Sequence, residues 1–133
     1  MGRWLFAFLV AVSCGSAAAQ GGDYPARPLR LITPFNPGGA IDIYARLIAE
    51  PLARRLGQNI VVEAIAGANT IVGTQALVRS APDGYTFMVT TMSTAVNNRF
   101  RESKIPYDPD RDLAPITQLS NGAVLLVGPS KAP

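Results

Sequence analysis

The sequence predicts an α/β fold: a mainly parallel sheet flanked by helices. Two observations predict it. Short apolar or β-branched runs at 29–33, 60–63 and 85–90 alternate with stretches of helical period at 39–56 and 72–80. That order gives βαβ units. Each run also leaves through a connection rich in Gly, Pro, Asn, Ser or Thr, at 34–39, 66–70 and 91–94. In a parallel sheet these three connections lie beyond the carboxyl ends of the strands, the side on which such sheets hold ligands.

The chain of 133 residues opens with a segment that reads as a signal peptide, residues 1–19. Arg3 supplies a positive start, WLFAFLVAV at 4–12 is an unbroken apolar run, and Ala17 and Ala19 form an A-x-A site before Gln20. The run is short of the ~20 residues that span a bilayer. Two alternatives stay open, a buried N-terminal helix and a lipid-accepting Cys14. The second fits poorly, because Ala11 stands where a Leu-like residue is usual. Cleavage after Ala19 leaves residues 20–133 and removes the only cysteine, so the exported chain depends on no disulfide.

Residues 20–28 read as a loose arm and 29–33 as a strand whose pairing ends at Pro34. From 39 to 56 the apolar positions Ile41, Tyr44, Ala45, Ile48, Leu52 and Leu56 recur at three and four residues. Gly57 marks the stop, with Arg54 and Arg55 in the last turn. Pro51 removes one hydrogen bond and crowds the Leu47 carbonyl, which predicts a kink or a break. Residues 60–63 form the second strand and 72–80 the second helical stretch. Pro82-Asp83-Gly84 is a turn, with φ preset at Pro and positive at Gly. Residues 85–90 form the third strand. A short helix capped by Ser93 or Thr94 is expected next, then a loop over 106–115. Two further strands are expected at 116–119 and 123–128.

Charge and composition exclude several functions. Twelve Lys and Arg stand against nine Asp and Glu, for a net charge of +3. The basic residues are scattered, with no stripe or tail of the kind that binds nucleic acid. There is no His, which removes Ser-His-Asp and Cys-His catalysis and histidine-ligated metal. Asp108, Asp110 and Asp112 begin like a calcium loop, but Leu113 and Leu119 occupy the positions that need Gly and Glu. The first connection lacks the Lys and Ser/Thr of a P-loop, and no G-x-G-x-x-G is present. No catalytic residue, cofactor or metal site is predicted.

In the first connection, PFNPGGAID at 34–42, Gly38 and Gly39 admit a ligand close to the backbone. The first N–H groups of the helix that follows are unpaired and carry partial positive charge, a ready anion site. A second reading stays open: Asn36 caps the helix and Pro37 is its first residue. The two differ in where the helix begins. Asp42, in the first turn, favours the helix dipole.

At this point the chain resembles a known family. The stretch from Tyr24 to Glu63, the run Ser80-Ala81-Pro82-Asp83-Gly84-Tyr85-Thr86 and the segment PYDPDRDLAPIT at 106–117 resemble, in order and spacing, the Bug-type (TctC-like) receptors. These are the extracytoplasmic solute-binding proteins of tripartite tricarboxylate transporters. The resemblance implies a periplasmic-binding-protein-like, type II fold of two α/β lobes with the ligand in the cleft between them. It implies periplasmic localisation, permease subunits as partners, and a small carboxylate as ligand: a di- or tricarboxylate, an amino acid or an aromatic acid. It implies that Phe35, Gly38, Gly39, Asp42, Ala68, Ser93 and Thr94 contribute to the ligand site, and it implies no enzyme activity.

Two departures stand out. Where the family usually has Gly-Ala-Gly-Gly-Asn, this chain has Gly67-Ala68-Asn69-Thr70-Ile71. Family members are also more than twice as long as residues 20–133. The expectation is therefore an N-terminal lobe, truncated and without the second lobe. The alternative is a fragment that cannot bind alone.

Overall fold

The computed structural model describes residues 24–92, 94, 100 and 105–122. Residues 1–19, the expected strand at 123–128 and Ser93 lie outside them. Three strands, β1 (Leu29–Thr33), β2 (Ile60–Ala64) and β3 (Thr86–Met88), form one sheet in the order β2-β1-β3. Both pairings are parallel, with Leu31 opposite Val62 on one side and Phe87 on the other. The ladder runs past β3 at each end, since Arg30 N–H donates to the Tyr85 carbonyl (2.8 Å) and Val89 N–H to that of Ile32 (3.0 Å).

Helix α1 (Ala40–Leu56) joins β1 to β2, and α2 (Ile71–Val78) joins β2 to β3. The chain steps from β1 to one side and then crosses back over β1 to reach β3. Right-handed crossovers in opposite directions put the two helices on opposite faces. Accordingly α1 packs on β1 and β2, and α2 on β1 and β3. β1, covered on both faces, buries Leu29, Leu31, Ile32 and Thr33, the continuous apolar run expected of a central parallel strand.

The main core lies under α1, where Leu31 and Val89 meet Ala45 and Ala49, flanked by Ile41, Ile48, Ile60, Val62 and Phe87. Two alanines at i and i+4 let the helix sit close to the sheet. Tyr44, counted in the apolar stripe from sequence, is instead exposed. α1 ends at Gly57 in the left-handed conformation (φ 68°), as the stop signal predicts. It is continuous through Pro51, so the break does not occur. Pro51 and Leu47 both lie on the solvent side, where water can satisfy the freed carbonyl.

The structure corrects the sequence reading at three further places. The arm is tied down from Tyr24 to Arg27. Tyr24 donates its hydroxyl to the Gly84 carbonyl (2.6 Å), Ala26 N–H donates to the Tyr85 hydroxyl (2.9 Å), and Arg27 lies over the Tyr85 ring (4.0 Å). Residues 106–115 contain a one-turn helix, α3 (Pro109–Asp112), capped by the Asp108 carboxylate accepting from Asp110 N–H (3.0 Å). Residues 116–119 form no strand: Ile116 is 83% exposed. Residue type alone makes no strand where no partner edge or buried face among the described residues receives it.

Candidate functional site

The carboxyl ends of the three strands bring the three connections to one edge. In the order β2-β1-β3 the connection after β1 runs to one side while β3 lies on the other, so the switch point of the sheet falls between β1 and β3. Crevices at such switch points are where open α/β sheets bind ligands. The connection after β1 leads into α1 there, and the residues after β3 flank it.

Helix α1 begins at Ala40, with Gly39 in extended conformation as its N-cap and no capping side chain. Asn36 is therefore not the cap, and Pro37 is not helical. The two glycines also make internal hydrogen bonds that the sequence does not announce. Gly38 sits at φ +76°, where an L-residue is strained. Its N–H donates to Asp42 Oδ2 (2.9 Å), and Gly39 N–H donates to the Asn36 carbonyl (3.2 Å). Both glycine N–H groups are thus used internally. The N–H groups of Ala40 and Ile41 have no acceptor among the described residues, as a helix start requires. The free donors thus lie within the first helical turn and not at the glycines.

Asp42 is buried, and Arg46, one turn on, donates its Nε to the same Oδ2 (3.0 Å). Oδ1 is buried without a partner. The Arg46 guanidinium, and then the Gly38 N–H, hold the Asp42 carboxyl below the usual carboxylate range. On β1 and β2, Arg30 donates Nε (2.9 Å) and Nη2 (2.6 Å) to Glu63 Oε2, and this pairing likewise lowers the Glu63 carboxyl. A depressed folded-state pKa gives stability that is present above the unfolded value and lost as pH falls through the folded one. The unfolded values lie near 4. Stability is therefore expected to be flat from about pH 5 to 7 and to fall below about pH 4. Asp42→Asn should shrink that acid loss, as urea midpoints at pH 3, 5 and 7 would show. The Glu63 share is below about 1 kcal/mol, because both side chains of that pair are more than a third exposed.

Phe35 and Asn36 form one wall of a recess of about 320 Å³, with Pro34 at its base and Ala66, Gly67, Asn69 and Thr70 opposite. A second recess, about 370 Å³, lies between α1 and the free edge of β2, away from the carboxyl ends. Its walls are largely helix flank and strand edge, without the convergent loops of the first.

The second connection turns through four successive residues of positive φ: Gly67 (144°), Ala68 (44°), Asn69 (51°) and Thr70 (76°). Asn69 and Thr70 stand where the family pattern has glycine, and they adopt glycine's backbone. Left-handed geometry costs an L-residue about 1–2 kcal/mol, most for a β-branched one. Thr70 also buries its Oγ1 without a partner. Thr70→Gly is therefore expected to stabilise the chain by about 0.5–1 kcal/mol, net of glycine's greater freedom when unfolded. Thermal unfolding would check it.

Of the residues expected from sequence, Phe35 lines the recess, and Gly38 and Gly39 shape the entry to α1. Asp42 holds that entry from within. Ala68 lies in the left-handed turn, between Gly67 and Asn69, which line the recess. Thr94 is buried, and its hydroxyl accepts from Thr90 Oγ1 (2.8 Å). Met92 is already helical, so Thr94 sits inside that turn and is not its cap. Ser93 is outside the described residues. Sequence reasoning missed Asn36, Asn69 and Thr70 as recess walls, and Arg46 as the partner of Asp42. The i, i+4 spacing of Asp42 and Arg46 was the available signal for the last.

The sequence relations agree with this architecture. Residues 44–133 match the model of the tripartite tricarboxylate transporter family receptor. The chain is 42% identical over 118 residues to Protein BugT of Bordetella pertussis, covering 86% of this chain and 36% of that one. It is similar to a solved R. palustris protein with adipate (34% identity, TM-score 0.63, 66% of this chain and 29% of the other). It is similar as well to MatC from Rhodopseudomonas palustris with bound malate (32% identity, TM-score 0.56, 67% and 30%). A solved periplasmic transporter matches at 45% identity, TM-score 0.61, over 65% of this chain and 29% of its own. The chain thus spans about a third of the length of the curated relatives it matches. By the family model and by these relatives alike, the chain belongs to the tripartite tricarboxylate transporter receptor family, a family of transport receptors and not of enzymes.

Proposed function

We propose that this chain is the N-terminal lobe of a periplasmic solute-binding receptor and takes one carboxylate of a small dicarboxylate at the carboxyl edge of its sheet. The observation that carries the reading is the start of α1. Its Ala40 and Ile41 N–H groups are free at the switch point, where the helix dipole favours an anion. Phe35, in the same connection, supplies an apolar wall of the recess, and Gly38 and Gly39 keep the approach clear of side chains. Ala68 and Thr94 belong to the two other connections at this edge, and the family resemblance adds Ser93 to the set. The adipate and malate of the solved relatives support a dicarboxylate as the ligand class. In the whole receptor a second lobe closes the cleft, export follows from residues 1–19, and the loaded receptor delivers to the membrane permease subunits of a tripartite transporter.

The test is calorimetric titration of the purified chain with adipate, malate and a panel of amino and aromatic acids, after circular dichroism has shown it folded. Saturable binding of a dicarboxylate is expected, and Ala40→Pro, which removes a free N–H at the first helical position where proline is tolerated, should weaken it strongly. A folded chain that binds none of the panel would overturn the reading and leave a fragment that cannot bind alone.

A further inference from the structure

The first turn of α1 already contains an anion of its own. Asp42 occupies the third helical position and turns back toward the N-terminus, where Oδ2 takes the Gly38 N–H (2.9 Å). Its side chain is only 4% exposed, and Oδ1 is buried without a partner. A carboxylate so placed draws on the same dipole field as an incoming ligand carboxylate and repels it. Internal donors offset that charge incompletely, since one oxygen meets none.

Arg46 supplies the missing positive charge. Its Nε donates to Asp42 Oδ2 (3.0 Å), while the side chain is 57% exposed. The guanidinium therefore sits against the Asp42 carboxylate, on the helix that carries the free N–H groups. We propose that Arg46 sets the anion affinity of the α1 N-terminus by cancelling the charge of Asp42, as a positioning residue that does not itself touch the ligand. This rests on the carboxylate-binding function proposed above. With the pair intact, the turn presents neutral internal chemistry and the full positive end of the helix. Without Arg46, the same N–H groups stand over an uncompensated carboxylate. The exposed guanidinium is partly screened by solvent, so its effect on affinity is moderate and salt-dependent.

The experiment is a double-mutant cycle read by adipate titration at low and high salt. Arg46→Gln should weaken adipate binding about three- to tenfold at low salt and less at high salt. Arg46→Lys, which keeps the charge, should stay within about twofold of wild type. Asp42→Asn/Arg46→Gln should recover most of the loss, because no charge then remains to be cancelled. A purely structural Arg46 would give neither the salt dependence nor the rescue. Unchanged affinity in Arg46→Gln, or a double variant no better than it, would overturn the proposal. If wild type binds no dicarboxylate, the functional reading itself fails. The pair is then judged by the amide shifts of Ala40 and Ile41 in a formate titration, and equal responses in wild type and Arg46→Gln overturn it.

Discussion

Gly73→Val lowers the unfolding free energy by about 3 kcal/mol or more. The reason is contact, not backbone conformation. A Cβ at Gly73 would lie 2.5 Å from the Ile65 carbonyl oxygen and 2.7 and 2.8 Å from Pro34 Cβ and Cα. None of these atoms is the free end of a flexible side chain, so α2 must lift from β1 or the Pro34 backbone must shift. Even Gly73→Ala meets all three of these contacts, because Cβ itself makes them. Its gain in helix propensity, about 1 kcal/mol, offsets only part of an overpacking cost of up to about 3 kcal/mol. Gly57→Ala is the control. Gly57 has φ +68° but open space around a Cβ, so it should lose only about 1 kcal/mol through left-handed strain. Urea unfolding of the three variants decides the point. If Gly73→Ala costs no more than Gly57→Ala, α2 does not approach β1 as described. The same contact sets the site, because Pro34 begins the first connection and α2 follows the second. Gly73 fixes the gap between the two walls of the recess.

Much of this architecture was legible because its signals are local. The period of Ile41, Ala45, Ile48 and Leu52 placed α1, and Gly57 placed its end. The β-branched run at 60–63 placed β2. Strand order was not legible. That β3 lies against β1 and not β2 follows from the second crossover, and no short stretch of sequence encodes its direction. The reading at 116–119 failed for the same reason. Residue type is a local property, whereas a strand needs a partner edge. The first connection was read as an anion site whose donors are the first N–H groups of α1, and α1 does begin at Ala40 with those groups free. What the sequence reading left out was the internal use of the glycines. Reading Gly38 and Gly39 as open backbone ignored a carboxylate four residues on that reaches back for one of them. The left-handed turn at 67–70 was hidden because Asn69 and Thr70 occupy backbone that only glycine would have advertised.

The core beneath α1 carries the other large effect. Leu31 is fully buried and meets Ala45 and Ala49 of the helix. Leu31→Ala should cost about 3 kcal/mol, since buried Leu→Ala changes run from about 2 to 5 kcal/mol with the cavity that remains. Collapse is limited here. The helix side offers methyl groups too short to follow, and Val62 and Phe87 are fixed beside Leu31 by the parallel ladders. Against a total stability of about 5–15 kcal/mol, such a loss is severe for a lobe with so few fully buried side chains. Ala45→Leu should also destabilise, by about 1–3 kcal/mol, because the helix has no room to rise without leaving the sheet. Combining the two returns the lost volume from the opposite side of the seam. The double variant should be more stable than the sum of the single losses by about 1 kcal/mol or more. Strict additivity in denaturant unfolding would mean that α1 is not seated on Leu31. The site would report the same event, because Asp42 lies three residues before Ala45 on the buried face of α1. A helix that loses its seat at Leu31 loses its hold on the Gly38 N–H, and exchange of that amide should quicken in Leu31→Ala before the lobe unfolds.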